Sequence, residues 1–290
     1  MCVVFSRSYD LLKFINAKGG IRVKWPWFEE IGSALHELFD KTGIGWIQSL
    51  NNSFYTAMFE DDRYIGYFKG ILITLEVSFF AVLLGVAIGI LLAVVKYSYS
   101  KKRSSVLQGE KKGKGYYILK ISDKLCGAYL TIIRGTPVLL QLLIIYNLVF
   151  NKRDSNPILA ASICFGINSG AYVAEIIRAG LMSIDNGQVE AGKSLGLNSF
   201  TIMKSIVLPQ AIKNILPALG NEFIVLIKET AIVGYISLTD VTQAAQLIGS
   251  RTLDVLPPLI IAAIFYLIIV IIFTKLLKTF ERRLALSDRG

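Results

Sequence analysis

The stretch EAGKSLGLNSFTIMKSIVLP, residues Glu190–Pro209, decides how the rest of the chain is interpreted. It lies between two hydrophobic stretches, is too polar to cross a bilayer, and carries two separate helical patterns. The residues before it can cap a first short helix, and Gly196 permits a sharp turn after that helix. A second short helix is predicted over Ser199–Leu208, before Pro209 interrupts the hydrogen-bond ladder. We call this predicted helix-turn-helix, residues 185–209, the knob.

The composition places the knob in a membrane protein. The chain has 290 residues, of which 53% are hydrophobic, and its mean hydropathy is +0.55. These values are too apolar for an ordinary soluble domain and are typical of a chain with several membrane spans. Four apolar stretches are close to the roughly 20 residues that cross a bilayer. They are Ile71–Val95, Ala128–Val149, Ile158–Met182 and Leu256–Leu277.

A fifth candidate span, Ile212–Ile232, contains Pro217 and several polar residues. We therefore expect a broken or protein-buried helix there rather than one that faces lipid. The predicted fold class is an all-α membrane protein with five transmembrane helices and the knob on its cytoplasmic side.

Basic residues are concentrated in two segments that we expect in the cytoplasm. The loop Lys96–Lys124 carries nine lysine or arginine residues, and five more follow from Lys275 to the end of the chain. The turn at 151–157 has only two, as expected outside the cell. The N-terminus is thus predicted outside and the C-terminus in the cytoplasm, in a multi-pass protein of the cell (plasma or inner) membrane. The net charge of +10 is interpreted as an orientation signal rather than a nucleic-acid surface.

The first 64 residues form a separate compositional zone. Its tryptophans suit a membrane interface, and Gly45–Phe59 has the spacing of an amphipathic helix. We expect this helix on the outer membrane surface or packed against the first span. A small extracytoplasmic cap without a role in solute handling is the alternative. Met1–Gly20 does not resemble a secretory signal, because charged residues interrupt it.

The knob closely resembles the cytoplasmic coupling loop of binding-protein-dependent ABC importer permeases. The matching positions are Glu190, Ala191, Gly196, Ile206, Leu208 and Pro209. Gly192 stands where the family usually has alanine, which should loosen the first knob helix by up to about 1 kcal/mol. The resemblance implies a type I ABC importer permease architecture in which these seven residues couple the chain to an ATPase.

Further motifs resemble those of the polar amino acid permease subfamily. They include Arg134-Gly135-Thr136-Pro137, the run Ser169–Arg178 and Asn221-Glu222-Phe223. The similarity covers about residues 65–283, which leaves 1–64 as an extracytoplasmic or interfacial extension and 284–290 as a cytoplasmic tail. It implies import of polar amino acids, basic ones among them, that an extracytoplasmic binding protein delivers.

The sequence has no G-x-x-x-x-G-K-[ST] phosphate-binding loop. ATP and Mg would therefore be used by two cytoplasmic ABC ATPase subunits, and the chain itself is predicted to be neither an enzyme nor a cofactor-binding protein. Five spans are too few to enclose a translocation path alone. This favours assembly with a second permease chain, either identical or paralogous. His36 is the only histidine and has no clustered ligands, so no metal site is predicted.

Polar residues within the predicted spans are candidates for a substrate pathway, because such residues are costly when they face lipid. The candidates are Glu175, Asn221, Glu222, Lys228 and Glu229. Structural roles stay open for three of them. Glu175 can pair with Arg178 at i,i+3, and Lys228 and Glu229 can neutralise neighbouring charges in a dimer. Asn221, Glu222 and Glu229 are favoured, because broken helices at mid-membrane commonly expose polar groups to a substrate.

Arg134, Thr136 and Pro137 are predicted to serve geometry and assembly. Pro137 removes one backbone donor, and Thr136 can bond a freed carbonyl. The expected result is a kink near the inner end of the second span.

Four other interpretations stay open. A channel or sensor would work without ATPases and would retain conduction or signalling when the knob is deleted. A membrane enzyme would need clustered catalytic residues, which the sequence does not show. An importer of an osmolyte such as a betaine would need an aromatic cage for the quaternary ammonium. In a heteromeric pair, this chain could lack solute contacts altogether.

Overall fold

The computed structural model describes residues 25–41, 45–109, 111–150 and 155–286. Within these ranges the chain is helical and contains no strand, which confirms the all-α fold class. The predictions on Met1–Gly20 and on the charges at 152 and 153 lie outside the described residues.

Eleven α-helices follow one another in the described parts of the chain. They are α1 (Pro26–Asp40), α2 (Gly45–Met58), α3 (Tyr64–Leu107), α4 (Lys114–Gly135), α5 (Val138–Val149), α6 (Pro157–Met182), α7 (Asn186–Ser194), α8 (Ser199–Ile202), α9 (Leu208–Glu229), α10 (Val241–Thr252) and α11 (Leu256–Leu286). Short 3₁₀ turns occupy Glu60–Asp62 and Thr230–Ile236, and a π turn occupies Met203–Val207.

The longest helix, α3, continues well past the predicted first span. Its 44 residues correspond to about 66 Å, roughly twice the hydrocarbon thickness of a bilayer. The prediction of a loop over Lys96–Lys124 is therefore wrong. The basic residues lie on the end of α3 and the start of α4, joined by a short connection at 108–113. Lysine and arginine are good helix formers, so a basic segment need not be irregular.

Three helical segments of the described chain are long and apolar enough to cross a membrane: Glu60–Leu107, Pro157–Met182 and Leu256–Arg283. The pair α4 and α5 would make a fourth span if the two counted together, but they are bent by 108°. The second predicted span, Ala128–Val149, is therefore not one continuous helix. The total of five spans stays a prediction.

The fifth candidate span, predicted as a broken or protein-buried helix, is a continuous α-helix over most of its length. Helix α9 runs without interruption from Leu208 to Glu229, although Pro217 lies inside it. The chain leaves the α-helix only at Thr230, where the 3₁₀ turn begins. Thr230 Oγ1 donates to Ile227 O at 2.7 Å and so satisfies one carbonyl at this helix end.

The chain forms two compact units. The first comprises the described residues of Met1–Val77, Tyr146–Ala161 and Ile227–Ile271. Its core contains Tyr67, which is fully buried, and small or branched residues of α10 and α11. Helix α2 confirms the predicted helix at Gly45–Phe59 to within one residue, and it packs on α1 and α10. In the described part of the N-terminal segment, the two helices α1 and α2 thus form a hairpin that belongs to this unit.

The second unit comprises Ser78–Ile145, Ser162–Leu226 and the described residues of Ile272–Gly290. Helices α3 and α6 approach closely there. A Cβ on Gly85 would lie 2.8 Å from Ser169 Oγ, and one on Gly89 would lie 2.4 Å from Val173 Cγ1. Small residues at such crossings let two helix backbones come together within a membrane. The close approach fixes the part of α6 that carries the polar site described below.

Candidate coupling and substrate sites

The first half of the knob is a short helix with a cap at each end. Asp185 Oδ1 accepts a hydrogen bond from Gly187 N at 2.7 Å and so caps the start of α7. At the other end, Gly196 adopts a φ of +76°. Its N–H donates to Lys193 O at 2.9 Å, and the N–H of Leu197 donates to the carbonyl five residues earlier, at 3.1 Å. This is a Schellman motif, in which the left-handed residue is usually glycine.

The second half of the knob does not end at Pro209 as predicted. Asn198 Oδ1 caps α8 by accepting from Thr201 N at 2.8 Å. The π turn then leads directly into α9, which starts at Leu208, so the helical path continues through the proline. A wider π turn accommodates Pro209 because the proline ring would otherwise meet the carbonyl four residues before it.

Packing within the knob depends on Gly192, which is buried. A Cβ at this position would lie 3.0 Å from Ile202 Cγ1 and 3.4 Å from Ile206 Cδ1. The sequence had indicated only that glycine loosens α7. The structure adds that the absence of a side chain lets α7 lie close to the second half of the knob.

Two polar contacts join the first turns of α9 to residues at and just before the start of the knob. The side-chain amides of Gln188 and Gln210 bond each other, with Gln210 Nε2 donating to Gln188 Oε1 at 2.6 Å. Asn214 Nδ2 donates to Ser183 Oγ at 2.8 Å. The start of α7 is therefore tied to α9.

Apolar side chains are exposed on the knob surface. Leu195 is 80% exposed and Phe200 is 74% exposed. Glu190, Ala191, Leu208 and Pro209 are also exposed, whereas Ile206 is half-buried. Exposed apolar residues rimmed by polar ones are typical of a protein-protein contact. The surface chemistry of the knob therefore suits a docked partner.

A buried polar contact lies in the second unit. Glu222, on α9, is 8% exposed, and its Oε1 accepts a hydrogen bond from Ser169 Oγ on α6 at 2.8 Å. Ser169 is fully buried. A carboxylate enclosed in this way is costly unless it is paired or hydrogen-bonded. The structure thus places one of the five predicted pathway residues in a buried polar site.

The other four pathway candidates have different surroundings. Glu175 is half-buried and forms a salt bridge with Arg178, which also donates from Nε to Glu175 Oε2 at 3.0 Å. Asn221 and Lys228 are exposed, and Glu229 is partly exposed. Glu175 and Glu222 thus have different described partners, Arg178 and Ser169.

The residues predicted to form a kink lie where α4 ends and α5 begins. Thr136 is extended, with φ −121° and ψ 146°, as expected for a residue before proline. Its Oγ1 donates to Ile132 O at 2.8 Å. Arg134 lies over the ring of Tyr172, with Cζ 5.3 Å from the ring centre.

A polar network at this bend was not foreseen from the sequence. Gln141 Nε2 donates to Ile133 O and to Thr136 Oγ1, both at 2.8 Å. Its Oε1 accepts from Asn168 Nδ2 at 3.0 Å. Asn168 and Ser169 are adjacent polar residues inside an otherwise apolar helix. In the sequence, this pair is the signal both for the network and for the hydrogen bond from Ser169 to Glu222.

Among the described residues, no group of three or more histidine, cysteine, aspartate or glutamate side chains could hold a metal ion.

The knob, the apolar helices and the helical fold together define a class of protein, and comparison with known proteins identifies it. Residues 113–286 match the family described as binding-protein-dependent transport system inner membrane component. The chain belongs to this family and is a permease subunit of an ABC importer, a multi-pass protein of the inner membrane.

Two relatives illustrate the similarity. The chain is 40% identical over 221 residues to the putative glutamine transport system permease protein GlnP of Rickettsia bellii, covering 76% of this chain and 93% of the relative. It is 39% identical over 224 residues to the arginine transport system permease protein ArtQ of Bacillus subtilis, with the same two coverages.

Solved structures support the same fold. One, titled as an amino acid ABC transporter with histidines, is 41% identical, has a TM-score of 0.65, and is matched over 76% of this chain and 94% of that chain. An inward-facing MetNI methionine ABC transporter is 18% identical, with a TM-score of 0.60 and coverages of 78% and 99%. At that identity the second comparison indicates the fold alone.

Proposed function

We propose that the chain carries polar amino acids, basic ones among them, into the cell. The observation that carries the proposal is the buried carboxylate of Glu222 beside Ser169. A carboxylate in a buried site can bind the ammonium group that every amino acid has, and equally the cationic side chain of arginine or lysine. The names of the relatives, which refer to glutamine and arginine, support this class of substrate.

Within the proposed substrate pathway, the residues differ in rank. Glu222 is assigned the substrate contact, because its carboxylate has one described hydrogen bond and retains further capacity to accept. Asn221 and Lys228 are exposed, and Glu229 is partly exposed. Glu175 ranks last, because its carboxylate already pairs with Arg178 and a structural role accounts for it.

Coupling to ATP is assigned to the knob. Two cytoplasmic ATPase subunits would bind and hydrolyse ATP with Mg, and each would hold one knob in a surface groove. Exposed Leu195 and Phe200 supply the apolar contact. Closure of the two ATPases would draw two knobs together and rock the helices between inward-facing and outward-facing states.

The proposed assembly has three further components. A second permease chain, a copy or a paralogue, would form the other wall of the pathway within the lipid bilayer. An extracytoplasmic amino-acid-binding protein would deliver the solute. Nucleic acid is not a proposed partner, since the basic segment Lys96–Lys124 is assigned to the cytoplasmic side as an orientation signal. The N-terminus would be outside.

The complex reconstituted in liposomes with its ATPases and binding protein tests this proposal. We expect ATP hydrolysis to be stimulated by a small set of polar amino acids. Glu222→Gln keeps the size of the side chain and removes its charge, so it should weaken the response to basic amino acids more than to neutral ones. The matched control is Glu30→Gln, an exposed residue of α1.

Either of two results would contradict it. If no amino acid stimulates an intact complex whose binding protein is competent, amino acids are not the cargo. If Glu222→Gln changes neither the strength of the stimulation nor the order of preference, Glu222 does not contact the solute.

A further inference from the structure

The N-terminal hairpin, formed by α1 and α2, has an apolar surface that its own fold does not cover. On one side of α1, Gly32 is buried, and a Cβ there would lie 2.5 Å from the ring of Phe59. That side faces the hairpin interior. A second apolar stripe follows helical spacing on α1 and is exposed. It consists of Trp27 (59% exposed), Ile31 (50%), Leu35 (49%) and Leu38 (63%).

An apolar groove begins beside this stripe, at Phe39. It has a volume of about 270 Å³ and is otherwise lined by α2. The lining residues are Phe39, Trp46, Ile47, Leu50, Asn51 and Phe54. Only one of them has a polar side chain, so the groove suits a hydrocarbon chain better than a hydrated ligand.

Aromatic packing connects the stripe to a membrane helix. The ring of Trp27 stacks on that of Trp25, with centroids 6.4 Å apart. Trp25 in turn packs against Tyr64 at 6.1 Å and Phe68 at 4.9 Å, in the first turns of α3. Because α3 crosses the bilayer, the stripe begins next to the point where the chain leaves the membrane. All three tryptophans of the chain lie in this hairpin or directly before it, and tryptophan is enriched at membrane interfaces.

Charge indicates which leaflet the hairpin can approach. Residues 25–63 contain seven acidic residues and two basic ones, Lys41 and Arg63. The anionic lipids of the cytoplasmic leaflet would repel such a segment. Contact with the outer leaflet, through apolar burial rather than charge, avoids this repulsion.

We propose that the N-terminal hairpin lies in the outer-leaflet interface, with the α1 stripe against lipid acyl chains and one acyl chain in the groove. Amphipathic helices bind in this position with their apolar face several ångströms into the headgroup and acyl boundary. The inference rests on the outside position of the N-terminus given under Proposed function. Its occupant is bilayer lipid rather than the binding protein or a second copy of the chain.

Tryptophan quenching tests the proposal on the full-length chain in lipid vesicles. Trp25→Phe with Trp46→Phe leaves Trp27 as the only tryptophan. Phospholipids brominated near the headgroup end of the acyl chain should reduce Trp27 emission to roughly half or less, whereas bromines near the bilayer centre should quench less. Ile31→Glu with Leu38→Glu, made in the same protein, should reverse most of this quenching. Ser33→Glu is the matched control on the polar side of α1 and should not.

The controls separate the possible failures. A chain that keeps only Trp25, whose ring packs against Tyr64 and Phe68, reports whether the hairpin still folds in the glutamate variants. The proposal is overturned if Trp27 is not quenched although the hairpin is folded. It is also overturned if chemical cross-linking of the assembled complex joins the α1 stripe to the binding protein or to a second copy of the chain. Amino-acid-stimulated ATP hydrolysis is measured separately, on the complex with its ATPases and binding protein. Normal stimulation together with unquenched Trp27 means that this inference fails and the proposed function does not.

Discussion

At the residue scale, glycine is required at Gly196 by backbone conformation alone. Its φ is +76°, and a Cβ built there meets nothing within 4 Å. Any effect of a substitution is therefore conformational rather than steric. Gly192 is the opposite case, because it has ordinary helical geometry and tight surroundings.

The first prediction concerns Gly196→Ala. A left-handed alanine should destabilise the end of α7 by about 1 kcal/mol. We expect faster hydrogen exchange of the α7 amides and lower ATP-driven uptake. The matched control is Gly115→Ala, inside α4, where a Cβ also meets nothing within 4 Å and the backbone is helical. Equal exchange rates in α7 of the Gly196→Ala and unaltered proteins would contradict the role given to this residue.

Some residue roles could be predicted from the sequence and others could not. Asp185 and Gly196 act through neighbours a few positions away, so local pattern suffices for them. The contact between Ser169 and Glu222 joins positions 53 residues apart. It depends on the way α6 and α9 pack, which no local pattern specifies.

At the scale of elements, the bend between α4 and α5 shows how proline and polar side chains act together. Pro137 disfavours a helical conformation at Thr136. The amide of Gln141 then bonds the carbonyl and hydroxyl groups that the break exposes. The sequence predicts a kink at this place, but a turn of 108° depends on this network as well.

Gln141→Leu should therefore destabilise the protein. It leaves the buried side chain of Asn168 without the partner described for it, and an unsatisfied buried polar group costs about 1–3 kcal/mol. The measurement is the thermal unfolding midpoint in detergent, where we expect a clear decrease. Gln246→Leu, an exposed glutamine of α10, is the control. Midpoints that fall equally in both variants would show that the network has no special role.

Helix boundaries were the least predictable elements. Pro209 and Pro217 both suggested breaks, yet the helical path continues through each. In the first case the π turn makes room for the ring. The actual end of α9, at Glu229, carries no glycine or proline. Local propensity therefore gives no signal for that boundary.

At the scale of the whole molecule, the topology stays a prediction that labelling can test. In a cysteine-free background, Ser33→Cys on α1 should react with a membrane-impermeant maleimide added to intact cells. Ser205→Cys in the knob should react only after the membrane is permeabilised. Both residues are exposed, so burial does not limit the reaction. Labelling of position 205 in intact cells would place the knob outside and exclude an ATPase contact.

The central claim is that ATP hydrolysis by partner subunits reaches this chain through the knob. The most direct measurement places a photo-crosslinking amino acid at Phe200, which is 74% exposed, and at Leu148 of α5, which is 79% exposed, as the control. In the assembled complex we predict a crosslink from position 200 to the ATPase subunit, and none to the ATPase from position 148. The yield from position 200 should change when ATP is bound, since closure of the ATPases moves the knobs. A complex that transports solute but gives no ATPase crosslink from position 200 would contradict the account.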